Sequence, residues 1–147
     1  MFVAFDTSAL VPAVLRVHPH HASSLHLIEQ ITSGKHQGMV SCHSLAEFYA
    51  VVTPISLEYR LTPDQAIEMI EKNILHWFEV IELTLEDYRG ALKRVKERSL
   101  GSGAIYDALV YQTALKKKVS CLVTWNEKHF RRISGGELEI VTPESFR

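Results

Sequence analysis

The sequence predicts an α/β fold, a central parallel sheet of four to five strands with helices on both faces. Two observations carry this. Short apolar runs alternate with amphipathic stretches along all 147 residues. Strands separated in this way by helices pair in parallel and are buried on both sides. No repeat, low-complexity tract or composition shift marks a linker, so 1–147 reads as a single domain. That length buries a core without disulfide help.

In chain order, Met1 to Phe5 is a short apolar run. It ends at Asp6-Thr7-Ser8, good N-cap types for a helix beginning near Ala9, with Pro12 expected in about its first turn. His18 to Thr32 reads as a second helix ending before Ser33-Gly34. Gly38 to Ser41 is a brief strand, and His43 to Val52 a helix that Pro54 stops. Thr62 caps a helix with Pro63 at its first position and Gln65 as capping-box partner, running to Leu75. Phe78 to Leu83 is a strand, and Thr84 caps a helix reaching Arg98. Gly101-Ser102-Gly103 forms a turn into a helix from Ala104 to Lys117. Ser120 to Thr124 is a buried-type strand, Asn126 starts a short helix, and Leu138 to Val141 is the last strand.

The formal net charge of −1 gives no global basic field, so a polyanionic partner would need local basic patches or bound cations. Cys42 and Cys121 sit among apolar residues and read as buried free thiols, which suits a reducing compartment. Asp6 interrupts the apolar run from Met1 to Leu15, which also lacks a signal peptide's basic start. No later apolar stretch approaches the ~20 residues that span a bilayer. A cytoplasmic protein without membrane contact is the expectation.

Topology then gathers scattered residues. In a parallel α/β sheet every strand ends, and the next helix begins, at one edge. Asp6 follows the first strand, Glu47 lies early in the helix after the second, Asp107 early in the helix before the Ser120 strand, and Asn126 just after that strand. Each has an ordinary reading alone: Asp6 as a cap, Glu47 in an exposed ion pair, Asn126 as a turn residue. Asp107 is harder to explain so, because it stands within Ala104-Ile105-Tyr106 and Ala108-Leu109-Val110. Glu47 is likewise embedded in Leu45-Ala46 and Phe48-Tyr49. Carboxylates in such surroundings cost several kcal/mol or so unless paired or metal-bound, and neighbouring ones repel. A divalent cation removes both penalties, and hard oxygen donors without cysteine point to Mg2+ or Mn2+. Asp6 and Asp107 are the expected direct ligands, and Glu47 a ligand through water or an orienter of the nucleophile. Thr7, Ser8 and Thr124 are placed to hydrogen-bond carboxylates or water. Such a site suits phosphodiester cleavage by activated water.

Four segments carry a resemblance. Phe5-Asp6-Thr7-Ser8-Ala9-Leu10, Ser44-Leu45-Ala46-Glu47-Phe48, Ile105-Tyr106-Asp107-Ala108-Leu109 and Cys121-Leu122-Val123-Thr124-Trp125-Asn126 together resemble the PIN domain, more narrowly the VapC-type toxin ribonucleases. The resemblance covers the chain from Phe2 to Val141. It implies a PIN-like three-layer fold, a Mg2+/Mn2+-dependent endoribonuclease with an acidic site on Asp6, Glu47 and Asp107, and frequently a homodimer. In the toxin branch of type II toxin–antitoxin pairs it also implies a cognate antitoxin. Many relatives have Asp where Asn126 stands. Asn supplies a neutral oxygen, which weakens a second metal site and leaves a non-catalytic RNA- or protein-binding module as the rival reading. An aspartyl phosphatase would need a second Asp two residues after Asp6, where Ser8 stands.

Other clusters have plainer readings. His18-Pro19-His20-His21 fits no closed zinc spacing and reads as a solvated helix start. His43 and His129 lie near the acidic edge, where ordinary polar contacts are the expectation. Lys128, Arg131 and Arg132 are best placed to hold RNA phosphates. Phe48, Tyr49, Trp77, Phe78 and Tyr106 read as core or interface. Ile67, Ile70 and Ile74 at helical spacing read as core, with a dimer face or antitoxin groove as the alternative.

Overall fold

The computed structural model describes residues 1–54 and 61–147. Its strands are β1 (Phe2–Phe5), β2 (Gln37–Ser41), β3 (Phe78–Ile81), β4 (Cys121–Val123) and β5 (Glu139–Val141). All pair in parallel in the order β3-β2-β1-β4-β5. The helices are α1 (Thr7–Val14), α2 (His21–Thr32), α3 (Cys42–Val52), α4 (Pro63–Ile70), α5 (Leu85–Glu97), α6 (Ala104–Lys116) and α7 (Glu127–Ile133).

Residues of β1 alternate between two cores. Val3 and Phe5 pack with Leu10, Leu27, Phe48 and Ile74 on one face, while Ala4 packs with Leu109, Tyr111, Phe130 and Ile133 on the other. This is the two-residue period of a strand buried on both sides. Helices α1 to α4 therefore cover one face and α5 to α7 the other.

The chain leaves β1 toward β2 and β3, then crosses back to enter β4 on the far side of β1. A crevice opens at such a reversal, outside the carboxyl ends of the strands. Asp6 and the segment after Val123 flank that crevice.

Local chemistry sets most boundaries. Asp6 caps α1, Ser41 caps α3, and Thr62 with Gln65 and Thr84 with Asp87 form complete capping boxes. Gly34 closes α2 with φ of 78°, the left-handed turn that glycine adopts without penalty. Several expectations are corrected. Helix α1 begins at Thr7 rather than Ala9, so Pro12 falls in its second turn. The ring removes a helical donor there, and the helix ends two residues later with Leu15 N–H bonded to Pro12 O. Pro19 keeps His18 to His20 out of α2. The helix expected to reach Leu75 widens into a π turn at Glu71–Leu75. Ala66 and Ile74 are buried and Ile67 is exposed, because Ile67 lies about 100° around the helix from the stripe at 66, 70 and 74. Ser102 rather than a neighbouring glycine takes positive φ before α6. Cys121 is buried but Cys42, at the first position of α3, is only partly so.

Candidate active site

Asp6 is 2 % exposed at the end of β1, and its N–H donates to Val123 O at 3.1 Å. Its Oδ2 accepts from Ser8 Oγ at 2.6 Å, Thr124 Oγ1 at 2.8 Å and, more weakly, Ser8 N–H at 3.4 Å. Those hydroxyls serve two sides. Ser8 Oγ accepts from Trp125 N–H and Thr124 Oγ1 from Asn126 N–H, each at 2.9 Å. The ends of β1 and β4 are thereby latched around one carboxylate oxygen, and among the described residues Oδ1 accepts no hydrogen bond.

Glu47, in the second turn of α3, and Asp107, in the first turn of α6, are both partly buried. Burial pushes the Glu47 carboxyl up to about 7, and the charges of Asp6 and Asp107 add to the rise. The Thr7 hydroxyl beside it offsets a little, although it lies outside good hydrogen-bond geometry. Asp107 is pushed up to about 6 by burial and then by Asp6, with His129 offsetting part of the rise. The three carboxylates are thus coupled through space, and among the described residues no lysine or arginine pairs with them.

Two imidazoles face this set. His43 Nε2 stands 3.9 Å from Glu47 Oε2, and His129 Nδ1 stands 3.6 Å from Asp107 Oδ2. The His43–Glu47 spacing of four residues was a readable helix-face signal. The His129–Asp107 contact joins two helices and needed the topology.

The donors suit a hard cation. They are carboxylate oxygens with unrelieved mutual repulsion, and Thr7 Oγ1 and Ser44 Oγ are buried nearby without partners among the described residues. Among those residues no three carboxylate, imidazole or thiolate groups close into a cage. Mg2+ keeps several waters and takes one or two carboxylates, so an open set of this kind fits it better than it fits zinc.

Two depressions border the edge. A cleft of about 580 Å3 holds Glu47, Asn126, Thr7 and Ser8, and a smaller one of about 290 Å3 holds Asp107, His129 and Arg132. Asn126 is exposed and makes no side-chain cap bond to α7. Of the basic residues, Arg132 lines the same depression as Asp107, Lys128 is exposed, and Arg131 is committed to Glu127 through Nε at 2.7 Å and a closer Nη2 contact. Arg131 lines a different depression, against Glu139 and Ile140. His18 and His20, expected as part of a solvated helix start, are partly exposed and line the larger cleft. Tyr106 and Trp77, expected in a core or interface, are 52 % and 44 % exposed.

A five-stranded parallel sheet with an acidic crevice at its topological switch is an α/β architecture, and comparison with known proteins narrows it. The PIN domain family profile matches residues 3–136, and the chain belongs to that family. Ribonuclease VapC27 of Mycobacterium tuberculosis is 28 % identical over 117 residues, 79 % of each chain. Among solved structures, the fold is similar to M. tuberculosis VapC20, described as a sarcin–ricin loop cleaving toxin. Its TM-score is 0.70 at 14 % identity, over 88 % of this chain and 93 % of that one. It is also similar to a chain of a toxin–antitoxin complex from Klebsiella pneumoniae, with TM-score 0.66, 19 % identity and coverage of 96 % and 97 %. No described helix is long and apolar enough to cross a membrane.

Proposed function

We propose that the chain is a Mg2+- or Mn2+-dependent endoribonuclease, the toxin of a type II toxin–antitoxin pair, acting as one cytoplasmic domain. The observation that carries this reading is the coupling of Asp6, Glu47 and Asp107 at one sheet edge, with no lysine or arginine paired to them among the described residues. Family membership, a relative named as a ribonuclease and a structural relative described as a sarcin–ricin loop cleaving toxin support it. The expected partners are an RNA, a cognate antitoxin that covers the acidic edge, and a second copy of the chain.

In this reading Asp6 and Asp107 would hold the cation. When bound, it offsets the carboxylate charge, acidifies water and polarises a phosphoryl oxygen. Ser8 and Thr124 fix the Asp6 carboxylate by occupying Oδ2. Glu47 orients the attacking water and takes its proton, with His43 behind it. Asn126 contributes a neutral oxygen to the cleft, which favours one firmly held ion over two. Arg132 and Lys128 hold phosphates of the RNA.

The test is RNA cleavage by purified protein with Mg2+ or Mn2+, against EDTA and against Asp6→Ala. Cleavage is expected to need the metal and to fall on the order of a hundredfold or more in the variant. Metal-independent cleavage, or full activity of Asp6→Ala, would remove this mechanism.

A further inference from the structure

Beside the acidic edge three rings stand in a row. His18 and His20 are 5.5 Å apart between centroids, and His20 stacks on Trp125 at 3.7 Å with the planes 15° apart. All three line the cleft of about 580 Å3 that also holds Glu47 and Asn126, with Val11 and Val51 adding apolar wall. The indole is fixed at two points. Its Nε1–H donates to the buried Ser24 Oγ at 2.9 Å, and its backbone N–H donates to Ser8 Oγ at 2.9 Å. Ser8 in turn donates to Asp6. A stacked aromatic surface is therefore held in register with the carboxylate that anchors the site.

Fixed rings so close to an acidic edge match one feature of a nucleic acid. Each phosphate of an unpaired strand is flanked by bases whose flat faces are free to stack on aromatic side chains, with little regard to sequence. A duplex hides those faces within its own stack. The apolar wall of Val11 and Val51 offers nothing to a phosphate, whereas it suits the flat face of a base, and Asn126 carries both a donor and an acceptor for a base edge. We propose that the Trp125–His20 cleft is the subsite for an unpaired nucleobase next to the scissile phosphate, and that this base stacks against the pair of rings. This rests on the nuclease reading above, and it assigns to Trp125 and His20 a part in choosing the substrate.

The chain has two tryptophans, Trp77 and Trp125. Trp77 lines a separate depression with Phe2 and Glu79, at the start of the strands. In Trp77→Phe the remaining emission reports on Trp125. This variant is titrated in EDTA with a short oligoadenylate, with an abasic strand of equal length, and with the oligoadenylate annealed to oligouridylate. The single strand is expected to quench the emission and to bind about tenfold tighter than either control, the gain of roughly one stacked base. Equal binding and quenching by the abasic strand overturns the proposal. Emission indifferent to every RNA also overturns it and assigns the cleft to a protein segment. In a second arm, Trp125→Leu should lose the preference for the base-bearing strand and Trp125→Phe should keep most of it. The fluorescence arm leaves Trp125 intact, so it decides the matter even where Trp125→Leu fails to fold. Because binding is read in EDTA, the two readings fail separately. Metal-dependent cleavage without base-dependent quenching removes only the subsite, and base-dependent quenching without cleavage removes only the nuclease.

Discussion

At the carboxyl edge of the sheet, Glu47 and Asp107 are pushed up to about 7 and about 6. Between α5, α6 and the turn before β5, Glu137 is held at about 2. The residue types are the same and the surroundings are opposite. Glu137 accepts from Arg94 Nη2 at 3.0 Å, Tyr111 Oη at 2.9 Å and Gly135 N–H at 2.7 Å, and Arg94 also lies over the Tyr111 ring. Asp87 repeats the pattern with Lys116 Nζ at 2.7 Å and the Thr84 cap. Where a carboxylate serves the fold, the chain supplies its cation and donors. At the acidic edge two hydroxyls bond Asp6 and two imidazoles face Glu47 and Asp107, but among the described residues no lysine or arginine pairs with any of the three. The difference teaches where this protein expects its positive charge to come from.

The sharpest way to break that comparison is the dependence of stability on pH without metal. The ordinary carboxyl values are 4.5 for Glu47 and 3.8 for Asp107, below their folded values. The folded state thus keeps protons that the unfolded chain has lost, and it becomes less stable as pH rises toward 6 and 7. Urea unfolding in EDTA is expected to give about 2–3 kcal/mol less stability at pH 8 than at pH 4 from this pair, after allowance for solvent screening. The double variant Glu47→Gln, Asp107→Asn should lose that decline. An unchanged slope in the double variant would show that the edge carries no such repulsion.

A smaller effect of opposite sign is expected at the other region. Glu137 is depressed below its ordinary 4.5, so its stabilisation is present above that pH and fades as pH falls toward 2. Glu137→Gln should cost about 1–2 kcal/mol at pH 7, a modest figure because the side chain is 43 % exposed. Urea midpoints at pH 7 check it. A stabilising Glu137→Gln would erase the contrast between the two regions.

Much of this was readable along the chain. The alternation of apolar runs with capped helices carries the parallel sheet, and the rule that strands end where helices begin brings Asp6, Glu47 and Asp107 to one edge. The strand order was not readable, because parallel pairing depends on crossovers that leave no local mark. Nor was the π turn at Glu71–Leu75, since a widened turn keeps the apolar spacing of an ordinary helix. Arg131 shows another limit. Its spacing from Glu127 fits an ion pair along α7 as well as an RNA contact, and the ion pair is what forms. The row from His18 through His20 to Trp125 depends on a contact across more than a hundred residues, so no local pattern in the sequence announces it.

The most direct measurement is Mn2+ binding by the purified protein, read as loss of the free-ion electron paramagnetic resonance signal. The same titration is run on Asp6→Ala and on Glu137→Gln. Wild type and Glu137→Gln should bind alike, and Asp6→Ala should bind about tenfold more weakly or worse. Equal binding by Asp6→Ala would contradict the claim that the unneutralised carboxylates at the sheet edge are the seat of the metal.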